Sequence, residues 1–288
     1  MSSTPQDHLP VDRSLPSLTL LIPAYNEQDR IGETLTTYAQ YFSQHHGGRW
    51  KIIVILNGCR DATLEVVQHH ARIEPRIRAL EFKAPIGKGG ALIQGPRLES
   101  EADFIGYTDA DGATPPAAML HLLKICATNP QTAAVIGSRW LPGAKLHHAQ
   151  TLTRRFASRV FHAIVQGLFQ LGIKDTQCPA KVMRKEAVQI IQPDLMIADL
   201  AFDVNLLYLL KRHGYQIVET PTEWTDKLGS KVTQTLFRSS LTMFLSILRV
   251  RLLYSPLRRW MPLIRPLEAW VYQRLRAPFL ESSLPSKP

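Results

Sequence analysis

An open α/β sheet, doubly wound and mostly parallel with helices on both faces, plus an amphipathic helical tail at the C-terminus, is the fold class predicted for this 288-residue chain. Three observations predict it. Short runs rich in Ile, Val and Leu alternate with amphipathic segments through the first half of the chain. Several of them, Leu18–Ile22, Ile52–Leu56 and Phe104–Tyr107, are apolar or nearly so throughout, as strands buried on both faces are. The segments that follow them carry Pro, Asn, Gly and Asp, which suit loops at the carboxyl edge of such a sheet.

Residues 1–16 are polar and proline-bearing, without the apolar core of a signal peptide, and read as a disordered leader. Leu18–Ile22 reads as a buried strand stopped by Pro23. Arg30–Gln44 predicts an amphipathic helix, Lys51–Leu56 a strand and Asp61–Ile73 a helix. Ile77–Phe82 follows as a strand, Lys88–Glu99 as a helix and Asp103–Asp109 as a strand. Pro115–Ala127 predicts a helix with proline near its first turn, and Ala133–Gly137 a strand. In the second half, Arg154–Leu171 has a wide apolar face, Ala180–Met183 reads as a short strand, Leu200–Arg212 as a helix and Tyr215–Glu219 as a late strand. The chain therefore divides into a leader (1–16), an α/β domain (17–235) and a basic amphipathic tail (236–288).

Hydrophobic content of 45% and charged content of 20% are those of a globular protein. Three scattered cysteines, Cys59, Cys126 and Cys178, form no CxxC pair, which argues against a disulfide framework or a zinc site and fits a reducing compartment. The formal net charge is +10, and most of it lies between Leu236 and Arg276, where eight arginines face one acid, Glu268. Such a tail implies an acidic partner. No nucleic-acid-binding motif is present, so nucleic acid is not an expected partner. Leu, Phe, Met and Ile fill much of the Leu236–Tyr254 helix, and its longest uncharged run, Ser239–Leu248, is too short to span a bilayer. A helix lying in the interface of an anionic membrane fits better, which places the protein in the cytoplasm, peripherally associated with the membrane.

The chemistry-bearing segment is Tyr107-Thr108-Asp109-Ala110-Asp111-Gly112. Aspartates at i and i+2 at a strand end project to one side. Two convergent carboxylates make a hard oxygen site for Mg²⁺ or Mn²⁺, an ion that takes other ligands from substrate phosphates and water; an acidic solvated turn is the bland alternative. Pro23-Ala24-Tyr25-Asn26-Glu27 and Asn57-Gly58-Cys59-Arg60-Asp61 form loops in register with it. Gly87-Lys88-Gly89-Gly90-Ala91 is neither GxxxxGK[ST] nor GxGxxG. It reads equally as a pyrophosphate approach at a helix start or as a tight strand–helix turn.

Taken with Gly137-Ser138-Arg139, Asp175-Thr176-Gln177-Cys178, Phe202-Asp203-Val204-Asn205 and Trp224…Gly229-Ser230-Lys231, these segments come in the order seen in family 2 glycosyltransferases. The chain resembles the branch that makes polyprenyl-phosphate sugars, dolichyl-phosphate glucosyltransferases in particular, from about residue 18 to 232. The resemblance implies a GT-A fold, a nucleotide-sugar donor, UDP-linked, and an inverting transfer of a hexose, glucose, to a polyprenyl phosphate. It implies Asp109 and Asp111 as the metal and donor-diphosphate site, with Asp111 and Asp203 catalytic. Pro23, Tyr25 and Glu27 would line the nucleotide pocket and Lys88 would meet a donor phosphate. Arg139 and Arg155 would hold the acceptor phosphate, with Lys231 on a loop closing over the site. Two departures stand out. Asn57 replaces an acidic residue that helps read the base, though its amide still offers a donor and an acceptor to a pyrimidine edge. Cys178-Pro179-Ala180-Lys181 replaces the commoner Cys-Gly-Phe-Lys.

A phosphate-monoester acceptor, with a second pKa of about 6, needs positioning more than deprotonation. A soluble sugar or glycan hydroxyl, the alternative acceptor, would require Asp203 as a general base.

Overall fold

The structure is a computed structural model that describes residues 15–47, 49–98, 101–147, 152–225 and 236–274. Among these, β1 (Leu18–Ala24), β2 (Trp50–Asn57), β3 (Ile77–Phe82), β4 (Phe104–Tyr107) and β5 (Thr132–Ser138) are followed by β6 (Lys145–His147), β7 (Lys181–Arg184), β8 (Gln216–Pro221) and β9 (Glu223–Thr225). Seven strands form one sheet in the order β3-β2-β1-β4-β7-β5-β8. β7 runs antiparallel to both its neighbours, and the other pairings are parallel. β6 and β9 pair as a separate parallel ribbon.

The helices are α1 (Ile31–His45), α2 (Thr63–Ile73), α3 (Gly87–Leu98), α4 (Pro116–Thr128), α5 (Leu152–Phe169), α6 (Lys185–Ile191), α7 (Phe202–Arg212), α8 (Leu236–Leu253) and α9 (Met261–Arg274). Period-2 alternation divides the central strands between two cores. Leu18, Leu20, Ile22, Ile52 and Val54 pack with Ile31, Leu35, Tyr38 and Phe42 of α1 and with Met119 and Leu123 of α4. Leu21, Ile53 and Ile55 point to the opposite face, against Ala91 and Leu92 of α3 and Phe202 and Leu206 of α7. Both faces are thus covered, as the continuous apolar runs require.

Some boundaries differ from expectation. Pro23 does not stop its strand: β1 continues to Ala24, with Pro23 opposite Ile55. The reason is that β4 pairs β1 only as far as Leu21, so Pro23 has a strand on one side and its missing N–H costs no ladder bond on the other. Residues 1–14 of the expected leader lie outside the described residues, while Leu15 is buried in the first core.

A third core joins α5 (Val165, Phe169), α7 (Val204, Leu207) and α8 (Ile247, Val250, Leu253). This corrects the expectation that α8 lies flat on a membrane. Its residues at i, i+3 and i+6 are fully or almost fully buried, and Ser246 donates a hydrogen bond to buried Asp199. No described helix is long and apolar enough to cross a membrane.

Candidate active site

Three loops meet at the carboxyl edge of β1, β2 and β4. The first two are tied by hydrogen bonds: Arg60 N to Asn26 Oδ1 at 2.8 Å, Glu27 N to Thr63 Oγ1 at 2.8 Å and Ala62 N to Gln28 Oε1 at 2.8 Å. Asn26 adopts φ 55° there, a left-handed conformation that Asn tolerates. Tyr25 is left exposed on the loop, and the Glu27 carboxylate is held by Arg30 Nε at 2.8 Å.

Asn57 takes a role the sequence did not predict. Its side chain is buried, and Oδ1 accepts hydrogen bonds from Ile86 N at 2.6 Å and Gly87 N at 3.1 Å. The amide therefore fixes the turn into α3, whose second residue is Lys88. Gly89 completes the fit: a Cβ there would lie 2.3 Å from Ile197 O, so only glycine lets α3 approach the segment leading to α7. Gly90 N then bonds Ala198 O at 3.1 Å.

Lys88 Nζ lies 2.6 Å from Asp109 Oδ1. Burial pulls the Lys88 ammonium pKa down, but the carboxylates of Asp109 and Asp203 outweigh that and raise it. Asp111 accepts a hydrogen bond from Ala113 N at 3.0 Å, and the turn closes through Gly112 at φ 68°. The Asp111 pKa is raised by burial and by the like charge of Asp109. Asp111 thus keeps its carboxylate partly covered beside Asp109, whose own charge is met by Lys88. Among the described residues no cluster of three or more His, Cys, Asp or Glu side chains could hold a metal, so any ion here would take its remaining ligands from a bound phosphate and water.

Asp203, the expected active-site acid, is almost fully buried on the first turn of α7. Its Oδ1 accepts from Lys181 Nζ at 2.6 Å and from the Tyr107 hydroxyl. Tyr107 and Lys181 are direct cross-strand partners on β4 and antiparallel β7, and the ammonium also sits 5.2 Å from the tyrosine ring centroid. Lys181 Nζ makes a further bond to Cys178 O at 2.5 Å. Neither Lys181 nor Tyr107 was given a role from the sequence; a lysine within the expected strand Ala180–Met183, otherwise apolar, was the available signal.

Arg139 is forked onto Asp175: Nε to Oδ2 at 2.8 Å, Nη2 to Oδ1 at 2.9 Å, with its own backbone N also on Oδ2 at 2.9 Å. The pairing holds the buried Asp175 carboxyl below its ordinary pKa against the upward push of desolvation. Arg139 lies 5.2 Å from the Trp224 ring. Thr225 N, next to that tryptophan, bonds Ala113 O at 2.9 Å. The β6–β9 ribbon, too short to read from sequence, therefore carries Trp224 to the aspartate loop. Arg155 is on α5, but its side chain is not among those described; Lys231 lies outside the described residues. One turn beyond Arg155, exposed Arg159 packs 4.5 Å from the Trp140 ring.

Residues 19–191 match the model of the glycosyl transferase family 2. The dolichyl-phosphate beta-glucosyltransferase ALG5C of Trichomonas vaginalis is 34% identical over 74% of this chain and 65% of its own length. The dolichyl-phosphate beta-glucosyltransferase of Dictyostelium discoideum is 33% identical over 82% of this chain and 74% of its own. Among solved structures, glucosyl-3-phosphoglycerate synthase from Mycobacterium tuberculosis, in complex with Mn²⁺, UDP and glucosyl-3-phosphoglycerate, superposes with a TM-score of 0.62 at 15% identity, covering 83% of this chain and 81% of that one. At that identity the likeness concerns the fold, which is GT-A. By the extent of the family match and the identity of these relatives, the chain belongs to family 2 of the glycosyltransferases.

Proposed function

We propose that this enzyme transfers glucose from UDP-glucose, with inversion, to a polyprenyl phosphate at the cytoplasmic face of a membrane. The observation that carries the reading is the meeting of three elements. The Asp109–Asp111 pair stands at the end of β4, Lys88 lies 2.6 Å from Asp109, and Trp224, with the Arg139 guanidinium 5.2 Å from its ring, is held beside the aspartate loop by the Thr225 N to Ala113 O bond at 2.9 Å. The named relatives are dolichyl-phosphate beta-glucosyltransferases, which supports the sugar and the lipid.

Asp109 and Asp111 suit Mg²⁺ or Mn²⁺, since hard divalent ions prefer carboxylate oxygen and the pair offers two of them at one strand end. Such an ion, when bound, supplies charge neutralisation to a diphosphate leaving group. Lys88 adds a second cation on the donor side, its position fixed by Asn57 and by the glycine contacts of α3. Pro23, Tyr25 and Glu27 form the wall for the nucleotide. Trp224 and the Arg139–Asp175 pair bound the acceptor side, where Arg159, packed on Trp140, adds positive charge for a phosphate that is largely dianionic at neutral pH; Arg155 and Lys231 are carried as acceptor-phosphate candidates on the family resemblance alone. Asp203 Oδ1 is engaged by both Lys181 and Tyr107. That favours a phosphate acceptor, which needs no general base, over a sugar hydroxyl, which does. The arginine-rich tail provides attraction to an anionic membrane surface.

The test is incubation of the full chain with a panel of nucleotide sugars and polyprenyl phosphate, followed by mass measurement of the organic-phase lipid. A hexosyl-phosphoryl-polyprenol formed from UDP-glucose is the expected product. Transfer only to water-soluble glycans would overturn the reading.

A further inference from the structure

The tail divides into two parts, one packed on the fold along a buried stripe and one that leaves most of its apolar groups in solvent. α8 is bolted to the catalytic fold: Ile247, Val250 and Leu253 are buried, and Ser246 bonds Asp199. Just beyond it the Tyr254 hydroxyl accepts from Asn205 Nδ2 at 2.9 Å and donates to Asp194 O, and Arg212 Nη1 bonds Tyr254 O at 3.1 Å. The chain that follows, the 3-10 turn Pro256–Trp260 and α9, presents apolar side chains to solvent instead. Leu257 is 51% exposed, Trp260 49%, Leu263 73% and Trp270 53%.

On α9 the pattern has a direction. Met261, at its start, is buried in the third core. At about 100° per residue, Leu263, Pro266, Trp270 and Arg274 all fall on the side opposite Met261. Their spacing (i, i+3, i+7, i+11) is that of one helix stripe. Arg258, Arg259 and Arg274 are exposed beside these apolar groups, with Arg259 5.7 Å from the Trp260 ring and Arg274 5.1 Å from the Trp270 ring. Apolar residues and tryptophans interleaved with arginines match a surface that is greasy within and negative at its rim.

We propose that the Pro256–Arg274 segment, with Leu263 and Trp270 at its centre, is the face that inserts into the headgroup region of an anionic bilayer, and that α8 is the bracket joining this face to the catalytic fold. The inference rests on the membrane-associated reading above and narrows it to one stripe. It also has a geometric consequence. The bracket grips the 194–205 segment that touches Gly89 and carries Asp203, so the inserted face is joined through α8 to the segment that packs on α3, the helix carrying Lys88.

The experiment uses the full chain with vesicles of phosphatidylcholine alone or with one third phosphatidylglycerol. The variants are Leu263→Asp/Trp270→Asp and, as a control on the bracket, Leu241→Asp/Phe244→Asp. All four positions are exposed, and thermal unfolding checks that each variant folds. Wild type is expected to co-sediment with the anionic vesicles, the α9 variant to lose partitioning by about tenfold or more, and the α8 variant to keep it. Equal binding by wild type and the α9 variant would overturn the inference and leave the membrane reading standing. Absence of binding by wild type would overturn both. A wild-type dimer in vesicle-free buffer that the α9 variant converts to monomer would assign the stripe to a second copy of the chain, and also overturn the inference.

Discussion

Lys181 Nζ and Asp203 Oδ1 form an ion pair at 2.6 Å in which the lysine is fully buried and the aspartate nearly so. Removing one partner strands the other charge in a low-dielectric interior. Lys181→Met should therefore destabilise the protein by about 3–5 kcal/mol. The double variant Lys181→Met/Asp203→Leu should recover much of that, because a buried pair replaced by apolar groups loses no counter-charge. Chemical denaturation of the two variants and wild type checks both statements. A Lys181→Met protein as stable as wild type would contradict the pair.

Arg139 and Asp175 should behave as a pH-dependent brace. The folded-state pKa of Asp175 lies below its ordinary value, so its contribution to stability is complete above roughly pH 4, the usual carboxylate value, and is lost as pH falls through the depressed one. Arg139→Lys keeps the charge but not the fork, and should cost about 1.5–3 kcal/mol at pH 7. The difference between wild type and Arg139→Lys should shrink as denaturation is measured at progressively lower pH below 4. Acceptor KM should rise in the same variant while donor KM stays near wild type. A difference in stability independent of pH would argue against the brace.

Asn57→Ala should separate donor from acceptor effects. It leaves Ile86 N and Gly87 N without their acceptor, at about 1–3 kcal/mol for each buried group. The start of α3 should loosen and carry Lys88 with it. Donor KM is expected to rise several-fold while acceptor KM changes little. Denaturant melts and a two-substrate kinetic matrix measure the two parts.

The sequence was readable where one physical signal dominated. The β1, β2, β4 and β5 runs were apolar on both faces, and α1 and α2 carried clear 3.6-residue stripes, so the order of elements and the three site loops followed directly. It was less readable where tertiary context decides. Lys181 and Tyr107 meet only because β7 enters the sheet antiparallel beside β4, a pairing that no local pattern encodes. Asn57 looked like a base-reading amide, since its use by Ile86 and Gly87 depends on a turn 29 residues away. The arginine-rich tail was legible as a charge, but its division into an α8 packed on the fold through Ile247, Val250 and Leu253 and an α9 with exposed Leu263 and Trp270 was not. The same Leu, Ile and Val residues serve a core or a membrane, and only the packing against α5 and α7 distinguishes them.

Asp109 and Asp111 offer a test in which stability and activity move apart. Burial and the neighbouring charge of Asp109 both raise the Asp111 pKa, so ionised Asp111 is a cost to the fold without a counter-ion. Asp111→Asn removes that like charge and keeps the shape, and the amide can still accept from Ala113 N through its oxygen. The metal-free variant should then be as stable as wild type or more so. Its transfer rate should nevertheless fall on the order of 10²–10³-fold, the scale for losing one preorganised electrostatic contact to a developing charge. Adding Mn²⁺ with UDP should raise the unfolding temperature of wild type by ligand linkage, and that of Asp111→Asn much less. Chelator should inactivate wild type reversibly, with Mg²⁺ or Mn²⁺ restoring turnover. Full activity in chelator, or an Asp111→Asn enzyme that turns over like wild type, would remove the aspartate pair from the donor site.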